Sequence, residues 1–171
     1  MNLSEEDISE ERDDGAPIEA LEQYFEARGW ACERTGDGEI IASATGSWAT
    51  YELRGVWRPE DQVLQFLAFP DIKVGPEKRT AVYEVLSLIN EQLWLGHFEM
   101  WSGSGLVVFR HSTILDARED EGLSIEQAEA ITEAAVEECE RFYPVFQFVL
   151  WGGKSPTEAI TAALIDTHGE A

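Results

Sequence analysis

The chain has 171 residues, and 34 Asp and Glu set against 12 Lys and Arg leave a net charge of −22. With 44% hydrophobic and 11% aromatic residues it can bury a core, which excludes wholesale disorder. An acidic excess of that size repels phosphate backbones and anionic headgroups, so neither nucleic acid nor a membrane is an expected partner.

Residues 1–15 carry Glu5, Glu6, Asp7, Glu10, Glu11, Asp13 and Asp14 against Arg12 alone. Such a run reads as a disordered acidic tail, with one folded domain expected over 16–171. No basic region precedes an apolar stretch at the start, so no secretory signal is expected. No apolar run approaches the roughly 20 residues of a membrane span. Cys32 and Cys139 lack CxxC spacing, which fits a reducing cytosol. A cytoplasmic protein is expected.

Pro17 suits a first helical turn; Ile18, Leu21, Tyr24 and Phe25 follow at helical spacing, and Gly29 ends the segment. Four strands are predicted at 30–35, 39–45, 48–58 and 62–69, separated by Gly, Ser, Pro and Asp turns, as an antiparallel meander. In the third, Ala49, Tyr51, Leu53 and Trp57 share one face, with Thr50, Glu52, Arg54 and Arg58 on the other. Gly75-Pro76 opens a second helix striped by Val82, Val85, Leu86, Ile89 and Leu93, and Gly96 closes it. A hairpin of 97–102 and 106–113 turns around Gly103-Ser104-Gly105. Ser124 and Gln127 form a capping box for a long third helix that Pro144 should kink or break. Ser155-Pro156-Thr157-Glu158 starts a short fourth helix after Gly152-Gly153. The order α-β-β-β-β-α-β-β-α-α makes a single α+β domain: a twisted, mainly antiparallel sheet with helices on one face. Ala49, Tyr51, Leu53, Trp57, Val85, Ile89, Phe98 and Ile131 are the expected core.

Chemical motifs are few. Gly152-Gly153-Lys154-Ser155 ends like a phosphate-binding loop, but the required upstream glycine is Phe148, so a helix stop and restart is the better reading. The loop 116–121 puts Arg118 and Glu121 where calcium needs a ligand and a glycine. A three-residue hairpin loop sets His97 across from His111, two imidazoles short of the four ligands of structural zinc. No GxSxG and no Cys–His pairing is present. No metal, no cofactor and no catalytic residue is expected. Lys73, Lys78 and Arg79 form the one local basic cluster, read as solvated cations or an acidic-partner contact.

The strands hold more apolar residues than one helical layer covers. Val63, Leu64, Phe66, Leu67 and Phe69 are apolar on both faces. In the hairpin, Phe98, Met100, Leu106 and Val108 are assigned to one face and Trp101, Val107 and Phe109 to the other. Leu67, Phe69, Trp101, Val107 and Phe109 are therefore the candidate partner surface. Two alternatives stay open: an aromatic ligand pocket among Trp48, Trp57 and Trp101, and an enzyme site assembled from Glu52, Arg54, Arg110 and His111. The apolar run 142–151 is either further interface or core.

From Ile18 onward the chain resembles the bacterial YbjN-domain family of sensory-transduction regulators. The resemblance rests on element order and on three segments. These are Leu88-Ile89-Asn90-Glu91-Gln92-Leu93 with Gly96-His97-Phe98-Glu99, Leu106-Val107-Val108-Phe109-Arg110-His111, and Arg141-Phe142-Tyr143-Pro144-Val145-Phe146-Gln147 closing on Trp151-Gly152-Gly153-Lys154-Ser155-Pro156. It implies a fold like that of type III secretion chaperones, which are acidic homodimers binding extended client segments. A non-enzymatic, homodimeric protein with a polypeptide partner is thus expected.

Overall fold

The computed structural model describes residues 16–116 and 122–168, so the acidic run and most of the candidate calcium loop lie outside the described residues. Among them the elements are α1 (Ala16–Ala27), β1 (Cys32–Gly36), β2 (Glu39–Thr45), β3 (Thr50–Arg58), β4 (Val63–Phe69), α2 (Arg79–Asn90), β5 (His97–Met100), β6 (Val107–Ile114), α3 (Ile125–Leu150) and α4 (Pro156–His168). The order expected from sequence is the order found. One antiparallel sheet runs β1-β2-β3-β4-β6-β5, so β1 and β5 are its edges.

Each helix contributes its apolar stripe to one core. Ile18, Leu21 and Phe25 of α1, Val85 and Ile89 of α2, Phe142, Phe146 and Val149 of α3, and Ile160 of α4 meet there. The sheet answers with Ile40, Ala42, Tyr51, Leu53, Trp57, Leu64, Phe66, Phe98, Val107 and Phe109. Gly55 interrupts this row, because a Cβ there would lie 2.5 Å from Leu21 Cδ1. Its bare backbone lets α1 sit close. Of the expected core, Ala49 and Ile131 are only partly buried, while the other six are buried.

α3 runs unbroken through Pro144, so of the expected kink or break the break does not occur. Tyr143, Val145, Phe146 and Val149 around the proline are buried, and that packing overrides the lost hydrogen bond. The run 142–151 is therefore largely core, ending on exposed Trp151. At the α3–α4 junction Gly153 has φ +65°, Lys154 N–H donates to the Phe148 carbonyl (3.0 Å), and Glu158 N–H donates to Ser155 Oγ (3.3 Å). The segment is a helix stop and restart. α2 ends at Asn90, earlier than expected, and Gly96 (φ +69°) closes the turn that follows.

Polar contacts lock α3 to the strand connections. Glu140 accepts from the Tyr51 hydroxyl and the Ser47 N–H (3.0 Å), beside Trp48 stacked on Tyr143 at 6.3 Å. Burial works to raise the Glu140 carboxyl, but the Tyr51 and Ser47 hydrogen bonds outweigh it and hold it below the usual range.

Candidate functional site

The hairpin decides which side chains leave the core. Trp101 N–H donates to the Leu106 carbonyl (2.8 Å), so the loop is 102–105, one residue longer than the glycines suggested. His97 consequently faces Arg110, Phe98 faces Phe109, and Met100 faces Val107. A one-residue slip exchanges the faces of a strand. Val107 (1% exposed) and Phe109 (0%) therefore sit in the core with Phe98, and they are not part of a surface. Val108, assigned inward from sequence, points the other way.

The helix-free face can be read from the register. Arg54 of β3, Leu67 of β4, Arg110 of β6 and His97 of β5 form one row. Glu52 pairs with Phe69, and Glu99 with Val108, in the next. Leu67 and Val108 are buried yet stand outside the core cluster, flanked by the long side chains of Arg54, Arg110 and Glu99. Phe69 and Trp101 are half-buried and meet edge to face at 5.5 Å, and the Arg54 guanidinium lies 5.0 Å over the Phe69 ring. Of the sequence-derived surface, Leu67, Phe69 and Trp101 thus share one face.

Glu99 organises this face, and the sequence reading missed it. It accepts from Arg110 Nε (2.6 Å), Arg110 Nη2 (2.9 Å) and the Trp101 indole N–H (3.0 Å), and bonds His97 Nε2 (2.9 Å). Burial pushes its carboxyl up, but the bonds from Arg110 and His97 outweigh this and hold it below the ordinary range. Residues 97, 99 and 101 share a strand face by alternation. Only the register adds Arg110.

The arrangement presents two aromatic rings in fixed orientation, with their polar neighbours already paired. Such a surface can receive an apolar side chain without stranding a charge. It brings together no nucleophile and base. Glu52 pairs with Arg54 (2.9 Å), while His111, opposite Phe66, lies on the helix side. The enzyme constellation is split between faces, and so are the two histidines. The three tryptophans do not converge either: Trp57 is in the core, Trp48 is half-exposed against Tyr143, and Trp101 is on the helix-free face. Among the described residues no group of three metal-ligating side chains occurs, and no helix is long and apolar enough to cross a membrane.

Residues 17–148 match the YbjN family, described as "Putative bacterial sensory transduction regulator". The chain belongs to the YbjN family. Its fold is similar to the crystal structure of YbjN from E. coli, described as "a putative transcription regulator". That match has a TM-score of 0.51 at 14% identity and covers 74% of this chain and 90% of the other. The ExsC–ExsE complex aligns at a TM-score of 0.46 with 15% identity, over 77% of this chain and 91% of that one. No curated protein sequence matches the chain.

Acidification should weaken this fold in two stages. Burial lowers the His111 pKa, so the unfolded chain takes up a proton first, and stability declines as pH falls below about 6.5 toward the folded value. The Glu140 and Glu99 contributions are complete above about 4.3, the unfolded carboxylate value, and vanish as pH falls through their lowered folded values. Denaturant melts across this range should show Glu140→Gln flattening the lower stage. An unchanged profile in that variant would refute the assignment.

Proposed function

We propose that this YbjN-family chain is a non-enzymatic regulatory protein that binds polypeptide segments on the helix-free face of its sheet. The observation carrying this reading is the Phe69–Trp101 pair, held in place by Glu99 and Arg54 where no helix packs. Leu67 lies on the same face two residues along β4, buried between Arg54 and Arg110. Folded residues 16–171, an acidic tail at 1–15, a cytoplasmic location and a homodimer complete the proposal. The net charge of −22 opposes self-association, so any dimer interface must be apolar and remote from the acidic run. Sedimentation at micromolar concentration and physiological salt should give a dimer mass. A monomer alone would remove that part.

Capture of partners by the wild-type chain and by the Phe69→Ala/Trp101→Ala variant tests the binding surface. Burying one large aromatic anchor contributes roughly 1.5–3 kcal/mol, so specific partners should fall about tenfold or more in the variant. Added salt should slow association and leave dissociation nearly unchanged, because rim charges mainly steer. Equal recovery by a folded variant would exclude this face.

A further inference from the structure

The two edges of the sheet are not equivalent. At β5 the Phe98 N–H donates to Asn90 Oδ1 (2.8 Å), and Asn90 Nδ2 donates to the Phe98 carbonyl (3.0 Å). The Asn90 side-chain amide thereby stands in for a neighbouring strand, and an incoming chain would have to displace it. Natural sheets close an edge in this way against unwanted pairing. At β1 no strand lies on the outer side among the described residues, and four of its five residues are exposed. The Ala31 carbonyl accepts from the Ser43 N–H (3.2 Å) and so turns inward. By alternation the N–H and C=O of Cys32 turn outward.

We infer that β1 is the edge to which an extended, basic stretch of a partner polypeptide adds as a further strand. This rests on the protein-binding reading above and names where and what is bound. Main-chain pairing would supply affinity at little cost in sequence, with alternate side chains adding selectivity. A shallow depression of about 300 Å³ lies beside this edge, lined by Ala31, Glu33, Ile41 and Ser43 together with Cys32 and Ala42. A side chain of the added strand fits over it. Charge specifies the occupant. Glu33 and Asp37 are exposed along the edge, and Glu26 and Glu22 stand close enough that, after burial, their charges raise the Cys32 thiol pKa. Arg34 and Glu22 cancel each other in a bidentate pair, both bonds 3.1 Å, so the negative surplus at this edge comes from Glu26, Glu33 and Asp37. A second copy is the poorer occupant. Antiparallel self-pairing of β1 centred on Glu33 or on Arg34 sets like charges directly opposite.

The test uses the full chain, isotopically labelled, and a short peptide of alternating Lys and Val. The Lys–Val peptide should shift the amides of β1 and its neighbour β2. Its Glu–Val counterpart, and a version N-methylated at the pairing amides, should bind at least about tenfold more weakly. Cys32→Pro removes the outward donor and should abolish binding. Because proline can also disturb the strand, Glu26→Lys/Glu33→Lys provides a second reading and should weaken the Lys–Val peptide without touching the backbone. Equal binding of the N-methylated peptide, shifts confined to β5, or no binding would each overturn the edge assignment. Shifts at Phe69 and Trp101 that ignore N-methylation would overturn it while leaving the binding role standing. Concentration-dependent β1 shifts without peptide would assign the edge to a second copy instead. The Phe69/Trp101 capture experiment judges the binding role independently.

Discussion

Phe109→Ala should destabilise the fold by about 3–5 kcal/mol, the usual range for deleting a buried aromatic. The ring is fully buried and meets Phe98 edge to face at 5.3 Å, and Phe98 in turn contacts Phe142 at 6.1 Å and Phe146 at 6.0 Å. Deleting it opens a cavity where the β5–β6 hairpin meets α3. Little can collapse into that space, because the neighbouring Phe98 ring is itself held by Phe142 and Phe146 of α3. Trp101→Ala, eight residues earlier on the same hairpin, should cost only about 1 kcal/mol, since its ring is half-exposed and its main losses are the Phe69 contact and one hydrogen bond. Denaturant titration of the two variants separates the faces. Comparable losses would mean that the register is wrong, because the two side chains would then share an environment. The comparison also governs how binding data are read. A Phe109 variant that fails to bind says nothing about a surface.

The hairpin is where sequence reasoning lost its footing. Strand existence was legible: 39–45 matches β2 to the residue, and the alternation of Tyr51, Leu53 and Trp57 identifies the buried face of β3. β6 offers no such alternation, since Val107, Val108 and Phe109 are consecutive apolar residues and all three are buried. A run of that kind fits either face, so the loop alone fixes the register, and loop length is not encoded in hydropathy. β4 is likewise apolar on both faces, and there the excess was real: Leu67 and Phe69 do leave the helix side. Pro144 misled for the opposite reason. Its local penalty was legible, whereas the burial that overrides it depends on α4 and the sheet arriving from distant parts of the chain. Asn90 and Glu99 were invisible as sites because each acts on partners set by tertiary geometry: the Phe98 backbone for one, Arg110 for the other.

The register itself has an identifiable anchor. Gly105→Ala should cost about 2–3 kcal/mol and lower the melting temperature by roughly 5–10 °C, while Gly103→Ala should stay within about 0.5 kcal/mol of wild type. Gly105 has φ +76°, and a Cβ there would lie 2.4 Å from the Val74 carbonyl oxygen. That oxygen belongs to backbone and cannot swing aside as a side chain would. Gly105 N–H donates to the Trp101 carbonyl (2.7 Å), closing the loop, and its own carbonyl accepts from Val74 N–H (2.8 Å), tying the loop to the segment after β4. A Cβ at Gly103 meets nothing within 4 Å. The two glycines look alike in the sequence Gly103-Ser104-Gly105, yet only the second holds a left-handed conformation against neighbouring backbone. Because Gly105 sets the loop length, its variant should also loosen the β5–β6 pairing, with faster amide exchange at the paired residues Glu99 and Val108 than in Gly103→Ala. Equal stability of the two variants would show that the hairpin does not turn on Gly105, and the faces assigned to Val107, Val108 and Phe109 would lose their anchor.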